Sequence, residues 1–179
     1  GWNNTDVVAS FSCADGLSGI SSCGPTPQVV TTEGAGQSRT ATAVDQAGNS
    51  ASVTMGAINI DKAAPVTTAT LSPTPNGEGW NNTNVSVSLA ATDNLSGVAR
   101  TEFNLDGAGW VTYVGAISIS TEAIHTLLFR SLDKADNLES ARSLTIRIDK
   151  SPPEAYNQFD PASKDVLVFG RDTLSGTSS

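Results

Sequence analysis

The sequence predicts an all-β protein made of tandem β-sandwich modules. Three observations lead to this fold class: one block of sequence recurs along the 179 residues, segments within it alternate between apolar and polar residues, and no stretch keeps a 3.6-residue period over three turns. Short strands at regular spacing, separated by turn residues, are typical of sandwiches. Each repeat is therefore expected to fold as one small sandwich.

The recurring block contains a pentapeptide that reads DGLSG at 15–19, DNLSG at 93–97 and DTLSG at 172–176. Three blocks match between the first two repeats: GWNNTDVVASFSCADGLSGI with GWNNTNVSVSLAATDNLSGV, DQAGN with DKADN, and INIDKAAP with IRIDKSPP. We expect modules at 1–62, 63–150 and 151–179, of which the first lacks its first strand and the third is truncated. The prolines of the linkers DKAAP and DKSPP restrict the backbone to extended conformations.

Individual strands follow from alternation with a period of two. Val85, Val87 and Leu89 alternate with small and polar residues, which predicts a strand with one buried face, and the stretch 7–13 repeats this phase. The insertion at 103–115 reads as a hairpin with an LDG turn. Short strands of this kind favour a sandwich of Greek-key or immunoglobulin type.

Composition and charge exclude several classes of partner. The formal net charge is −8 and Lys and Arg do not cluster, so we expect no binding to nucleic acid or to an anionic membrane surface. No apolar stretch is long enough to insert into a membrane. Charged residues make up only 16%, and abundant Ser and Thr are expected to cover the strand faces, which is typical of extracellular β proteins.

The sequence offers little for enzyme chemistry. Its single histidine, His125, lies in the predicted strand HTLLFRSLD, where we expect a structural role. None of the common hydrolase, metalloprotease or nucleotide-binding motifs is present. We therefore predict a protein that is not an enzyme.

The two cysteines, Cys13 and Cys23, flank the DGLSG segment. Cys13 falls on the inward phase of its strand, and we predict a disulfide between the two rather than a free or metal-bound pair. A disulfide would indicate an oxidising compartment.

Repeated aspartates end two strands of each module on the side that faces the core. Asp15 and Asp45 continue the inward phase in the first module, and Asp93 and Asp133 do so in the second. In an immunoglobulin-like sandwich these two strands run in the same direction, so both carboxylates lie at one pole, where the incoming linker also begins. Asp61 of the first linker is therefore expected beside Asp93 and Asp133.

Carboxylates crowded at such a pole repel one another unless a cation or hydrogen bonds intervene. Oxygen ligands suit Ca²⁺, so we predict a calcium ion at each module junction. The predicted ligands are Asp61, Asp93 and Asp133 as a complete set, Asp149 and Asp172 for the next junction, and Asp15 and Asp45 for a previous one. The alternative is that these aspartates only cap turns, with the leucine of LSG in the core and its glycine at a positive φ.

Aromatic residues offer a second kind of candidate site. Trp110 and Tyr113 lie in the inserted hairpin and are the candidates for stacking on carbohydrate rings, although alternation places them on opposite faces. Trp2 and Trp80 occupy the same position in each module, just before a strand, which favours a structural role. Loss of sugar binding in Trp110→Ala would support a carbohydrate-binding module.

The motifs GWNNTxV, DxLSG, LDG..W..Y.G, D.AGN and IDK..P together resemble the tandem bacterial immunoglobulin-like repeats of large secreted and cell-surface proteins. The second module is similar to OmpL47-type repeats and the first to HYR-like modules. Asp136 departs from the pattern by standing where glycine is usual. The resemblance implies a stalk, spacer or adhesive region, sometimes stiffened by calcium and sometimes attached to an extracellular hydrolase.

These expectations combine into one function. We expect a non-catalytic spacer segment of an extracellular bacterial protein, secreted or attached to the cell surface, whose partners are the neighbouring modules of its own chain. The alternative is a carbohydrate-binding accessory module of a polysaccharide-degrading enzyme. A glycan or a host surface protein is the external partner to be expected in either case.

Overall fold

The computed structural model describes residues 1–159, 166–171 and 174, and every regular element in that part of the chain is a β-strand. The all-β prediction is confirmed. The same residues contain no helix with the length and hydropathy to cross a membrane.

The strands are β1 (Val7–Ala9), β2 (Ile20–Gly24), β3 (Gln28–Val30), β4 (Gly34–Asp45), β5 (Ser50–Ile60), β6 (Val66–Ser72), β7 (Trp80–Asn81), β8 (Val85–Thr92), β9 (Val98–Leu105), β10 (Val111–Thr112), β11 (Ile117–Ile119), β12 (Ala123–Asp133), β13 (Arg142–Ile148), β14 (Glu154–Phe159) and β15 (Val166–Arg171).

The chain divides into two compact units that are interleaved in sequence. The first contains Gly1–Val66, Ala91–Thr101 and Arg130–Ser140, and the second contains Thr67–Ala90, Glu102–Phe129 and Ala141–Ser179. The linker aspartate and both acidic turns of the second repeat therefore belong to the first unit. The module boundaries expected at residues 62 and 150 follow the sequence repeat and stay a prediction.

The strand order of the second repeat is that of an immunoglobulin-like sandwich. One sheet has the order β11-β8-β6 and the other the order β10-β9-β12-β13-β7, with β12 and β13 antiparallel and β7 added to β13 in parallel. The predicted inward phase of β8 is confirmed. The buried core consists of Val85, Val87, Leu89, Ile117, Ile119, Leu127, Phe129, Ile146 and Ile148.

The first repeat has a smaller version of this arrangement. Its sheets are β1-β3 and β2-β4-β5, so the sheet that has three strands in the second repeat has two here. Asn3 forms a parallel bridge with Ile60, in the place that β7 takes beside β13. The core cluster consists of Val30, Ile58 and Ile60, with Val7 packed against them.

Strand β1 is shorter than the alternation predicted. It ends at Ala9, whereas the pattern suggested a strand that continues to residue 13. Its partner β3 begins directly after Pro27, which has no N–H group to continue the ladder. The backbone of Phe11 bonds to a side chain instead: Thr26 Oγ1 accepts from Phe11 N at 2.9 Å and donates to Phe11 O at 3.2 Å.

The LDG hairpin of the second repeat is confirmed. Strands β9 and β10 pair antiparallel, and Asp106 and Gly107 both take positive φ angles, 52° and 78°. The Asp106 carboxylate fastens this turn to β12, because Oδ1 accepts from Thr126 N at 2.8 Å and Oδ2 meets His125 Nδ1 at 2.6 Å. The other ring nitrogen, Nε2, meets the Thr121 hydroxyl at 3.1 Å, so His125 holds the hairpin in place.

The pair of His125 and Asp106 predicts a stability that depends on pH. Burial lowers the pKa of His125, but the hydrogen bonds to Asp106 and to the Thr121 carbonyl, with the negative charge of Asp106, together outweigh burial and leave that pKa above its ordinary 6.5. The hydrogen bond from His125 is the largest cause that holds the pKa of Asp106 below 3.8. The stability that the folded protein gains from protonated His125 is fully present below pH 6.5. It is lost as pH rises through the raised pKa of His125. The aspartate contribution is present above pH 3.8 and is lost as pH falls through the lowered pKa.

Thermal unfolding between about pH 6 and about pH 9 measures this linkage. Wild type is expected to lose more stability over that range than His125→Gln, which keeps hydrogen-bonding groups but does not titrate. An equal loss in both proteins would contradict the linkage.

A disulfide joins Cys13 to Cys23, as the sequence predicted. It closes the segment that contains the LSG turn of the first repeat. The second repeat has Ala91 and Thr101 at the aligned positions and provides an internal control.

Removing this bond with Cys13→Ala and Cys23→Ala is expected to destabilise the first repeat by about 2 to 3 kcal/mol, because the cross-link restricts the unfolded chain. Amide hydrogen exchange should quicken in β1 to β5 and stay unchanged in β8 and β12. Equal exchange in the first repeat of both proteins would show that the bond contributes nothing.

Candidate metal centre

Three aspartates meet in the first compact unit. Asp61 follows β5, Asp93 follows β8 and Asp133 ends β12, and one carboxylate oxygen from each lies within 4.8 Å of the other two. Asp61 and Asp133 are fully buried, and Asp93 is half-buried. The structure thus brings together the three residues that the repeat pattern placed at one pole.

The first contributor to the site is the LSG turn, residues 93–97 in the second repeat and 15–19 in the first. Asp93 Oδ1 accepts hydrogen bonds from Leu95 N (3.2 Å) and Gly97 N (2.7 Å). Asp15 caps its own turn in the same way through Oδ2. Gly97 has a φ of 81°, which a side chain would strain. The turn-capping role predicted for these aspartates is confirmed.

The leucine of the LSG turn does not lie in the core, and that expectation was wrong. Leu17 is fully exposed and Leu95 is 37% exposed. Each leucine donates its N–H inward to the capping carboxylate, so its side chain stands at the outer tip of the turn. In the second repeat the buried side chain is that of the next residue, Ser96, which is 5% exposed.

The second contributor is the DxxxN turn, residues 133–137 in the second repeat and 45–49 in the first. Asp133 Oδ1 accepts from Ala135 N (2.8 Å) and Asn137 N (2.7 Å), and its Oδ2 accepts from Asn137 Nδ2 (2.7 Å). Asp45 accepts the matching two bonds from the N–H and side-chain amide of Asn49. In each repeat, both turns are therefore capped by an aspartate.

Asp136 keeps the geometry that glycine gives to the first repeat. Its φ is 68°, close to the 91° of Gly48 at the aligned position, so the departure from the glycine pattern does not change the turn. The two turns are also joined directly, because Lys134 N donates to Gly97 O at 3.0 Å. The first repeat has the same bond at the aligned positions.

The linker is bonded to both turns through Asp61. Its Oδ2 accepts from Ser96 N at 2.8 Å, and its backbone carbonyl accepts from Asn137 Nδ2 at 2.8 Å. Its Oδ1 accepts from Ala63 N at 3.1 Å, which fixes the direction in which the linker leaves. Asn137 thus connects the carboxylate of one turn to the backbone of the linker.

Lys62 fastens the linker through partners that the alternation of the strands does not indicate. Lys62 N donates to Glu33 Oε1 at 2.6 Å, and Lys62 Nζ donates to Asp6 Oδ1 at 2.5 Å. The second repeat has the matching bond from Lys150 N to Glu122 Oε1 at 3.1 Å. The signal was available in the sequence, since the tripeptides TTE and STE recur at nearly the same offset as the two lysines.

The charge of the three aspartates is not balanced by a side chain. Within the described part of the chain, no Lys or Arg forms an ion pair with any of them. Burial raises the pKa of Asp61, but hydrogen bonding from Ser96 and from Ala63 N, together with the neighbouring Asp93, outweighs burial and holds that pKa below its usual 3.8, so Asp61 is charged at neutral pH. Asp93 Oδ2 is buried and has no hydrogen-bond partner among the described residues.

Oxygen is the only donor element in this cluster, and one of its buried oxygens is unpaired. Calcium accepts six to eight oxygen ligands in irregular geometry, whereas zinc favours nitrogen and sulfur. Hydrogen bonds to the carboxylates offset part of their repulsion, but they leave the negative charge in place. The site therefore has the chemistry of a hard-cation site.

Among the described residues, the other predicted ligands belong to no group of three acidic side chains. Asp15 and Asp45 each cap a turn, and no set of three acidic residues includes them in the described chain. Asp149 is buried, and its Oδ1 accepts from Ser151 N at 3.0 Å. Asp61 makes the same bond in its own linker, from Ala63 N. Asp172 lies outside the described residues.

The two hairpin aromatics differ in burial. Tyr113 packs against the core of the second repeat, and Trp110 is 37% exposed. Carbohydrate binding through Trp110 stays a prediction.

Comparison with known proteins does not assign the chain to a family. No family model matches the chain, and no curated protein matches it. A solved structure of the fibronectin(III)-like modules of CbhA from Clostridium thermocellum is similar at 18% sequence identity and a TM-score of 0.39, covering 82% of this chain and 87% of that chain. The assignment of an immunoglobulin-like sandwich rests on the strand order and not on this similarity.

The two bonds of Asn137 Nδ2 predict a local effect on the linker. Asn137→Ala removes the bond to the Asp61 carbonyl, and a hydrogen bond of this kind is worth about 1 kcal/mol. The amides of residues 61–63 are expected to exchange hydrogen about five- to tenfold faster in this variant. Asn49→Ala, the matched change in the first repeat, should leave those amides unchanged. Equal exchange of residues 61–63 in wild type and Asn137→Ala would contradict the role of this bond.

Proposed function

We propose that the chain is a non-catalytic spacer segment of an extracellular multi-module bacterial protein, in which a calcium ion bound by Asp61, Asp93 and Asp133 fixes the linker to two turns. The observation that carries this proposal is the burial of a linker carboxylate beside two turn carboxylates, with Asp93 Oδ2 unpaired. The more specific identification as OmpL47-type and HYR-like repeats is part of the same proposal.

The role of the ion would be mechanical. Asp61 belongs to the linker, whereas Asp93 and Asp133 belong to turns that are already joined by the bond from Lys134 N to Gly97 O. A cation shared by all three removes the repulsion that would otherwise push the linker away, and it adds ligand bonds to the hydrogen bonds of Asp61. The fully buried Pro65 restricts the next part of the linker. Together these features would limit hinge motion at residues 61–65.

An extracellular location and a non-catalytic role have separate support. The disulfide between Cys13 and Cys23 is the kind of bond that persists in oxidising compartments. Both ring nitrogens of His125, the single histidine, take part in hydrogen bonds that hold a hairpin. Lys62 N and Lys150 N each donate to a glutamate at nearly the same position of the two repeats. This repetition supports the proposal that the partners are neighbouring modules of the same chain.

Calcium is expected to stabilise the protein against heat. At a free concentration of about 100 times Kd it should add about 2.7 kcal/mol, which corresponds to a rise in Tm of about 5 to 10 °C. Asp93→Asn keeps an oxygen that can cap the LSG turn but removes the charge, so it should abolish the rise. Asp15→Asn, the matched change in the first repeat, should retain it.

The control for this experiment is the behaviour in chelator. Asp93→Asn should then be at least as stable as wild type, because it removes one of three neighbouring negative charges. The calcium proposal is rejected if wild type unfolds at the same temperature with calcium and with chelator, or if Asp93→Asn retains the full response.

A further inference from the structure

We propose that the Ser96 hydroxyl is a direct ligand of the same cation, so that the LSG turn supplies a neutral oxygen beside the Asp93 carboxylate. This inference rests on the calcium site proposed above. It gives the serine of the pentapeptide a binding role that capping of the turn does not require.

The two LSG turns of the chain treat this serine differently. In the first repeat Ser18 Oγ donates to Asp15 Oδ2 at 3.3 Å, the same oxygen that caps the turn. In the second repeat Ser96 Oγ has no hydrogen-bond partner in the described residues, although Asp93 caps its turn in the same way. The sequence around the serine and the capping bonds match, so the turn itself does not force the Ser96 hydroxyl away from its aspartate.

The environment of Ser96 makes this difference costly. Ser96 is 5% exposed, and an unpaired buried hydroxyl costs about 1 to 3 kcal/mol. By contrast, Ser18 lies in a turn whose capping aspartate is exposed, where water can serve as a partner. A buried polar atom left without a partner in one copy of a repeated turn is expected where a ligand uses it.

The Ser96 hydroxyl lies beside the carboxylates. Ser96 N donates to Asp61 Oδ2 at 2.8 Å, so Ser96 lies against that carboxylate, and its Oγ makes no hydrogen bond with a described residue. Asp93 Oδ2, the other unpaired buried oxygen of this turn, lies three residues away in the chain. In the described chain, unpaired buried side-chain atoms occur at Asp93, Ser96 and Asn81. Asn81 does not belong to a group of three acidic residues, so it carries no comparable indication of a cation.

A hydroxyl oxygen suits the proposed ion. Calcium takes six to eight oxygen ligands and accepts neutral ones, so a hydroxyl adds coordination without adding negative charge to a cluster of three carboxylates. One oxygen each from Asp61, Asp93 and Asp133, with Ser96 Oγ, gives four protein ligands. Water and backbone carbonyls are the usual source of the remainder.

The test uses the full chain, with Ca²⁺ in calorimetric titration and Tb³⁺ as a luminescent substitute. Ser96→Ala should weaken calcium binding about tenfold, and Tb³⁺ lifetimes in H₂O and D₂O should show about one additional coordinated water. Ser18→Ala, the matched control, should change neither quantity. In chelator Ser96→Ala should be at least as stable as wild type, since it removes an unpaired buried hydroxyl.

The possible outcomes separate the two proposals. If wild type binds neither Ca²⁺ nor Tb³⁺, the calcium site fails and the role of Ser96 fails with it. If wild type binds and Ser96→Ala binds with equal affinity and the same number of coordinated waters, the calcium site stands and the role of Ser96 is overturned. Ser96→Thr, which retains a hydroxyl, should recover most of the affinity if the role is correct.

Discussion

The burial of the Asp61 carboxylate between two acidic turns is the constraint on which the linker geometry depends. A charged carboxylate is expensive to bury, and here it is placed beside two others within 4.8 Å. Backbone N–H groups of Ser96 and Ala63 hold Asp61, and the Asn137 amide holds its carbonyl. These bonds fix where the linker lies, but they do not neutralise the cluster. A bound cation would both hold the linker in place and neutralise part of the negative charge of the cluster.

The first repeat provides a comparison, because in the described residues its two turn aspartates belong to no group of three acidic side chains. Asp15 and Asp45 cap their turns, and the backbone bond between the two turns is present. Two contacts differ between the repeats. Asn49 Nδ2 donates to Asp45, whereas the aligned Asn137 Nδ2 donates to Asp133 and also to the linker. Ser18 Oγ donates to Asp15, whereas the aligned Ser96 Oγ has no partner among the described residues. The turns are thus common scaffolds, and the differences between the copies lie where the linker meets them.

Much of this could be predicted because a strand has a period of two. The inward phase of β8 and β12 was enough to place Asp93 and Asp133 at the ends of two strands, and the repeat then placed Asp61 beside them. The length of β1 could not be predicted from alternation, since Pro27 in its partner ends the ladder. The anchor from Lys62 to Glu33 joins residues 29 positions apart, so alternation within a strand does not predict it, and only the recurrence of TTE and STE marks it. The unpaired state of Ser96 Oγ depends on the rotamer of its side chain, which no residue pattern encodes.

A crystal structure of this segment grown with calcium chloride is the decisive experiment for the proposed metal site. We expect an ion surrounded by oxygen atoms of Asp61, Asp93 and Asp133 at about 2.3 to 2.6 Å, identified by its anomalous scattering. We also expect that Ser96 Oγ lies at the same range of distance. If the three carboxylates are ordered and hold no ion at saturating calcium, the aspartate cluster is not a calcium site.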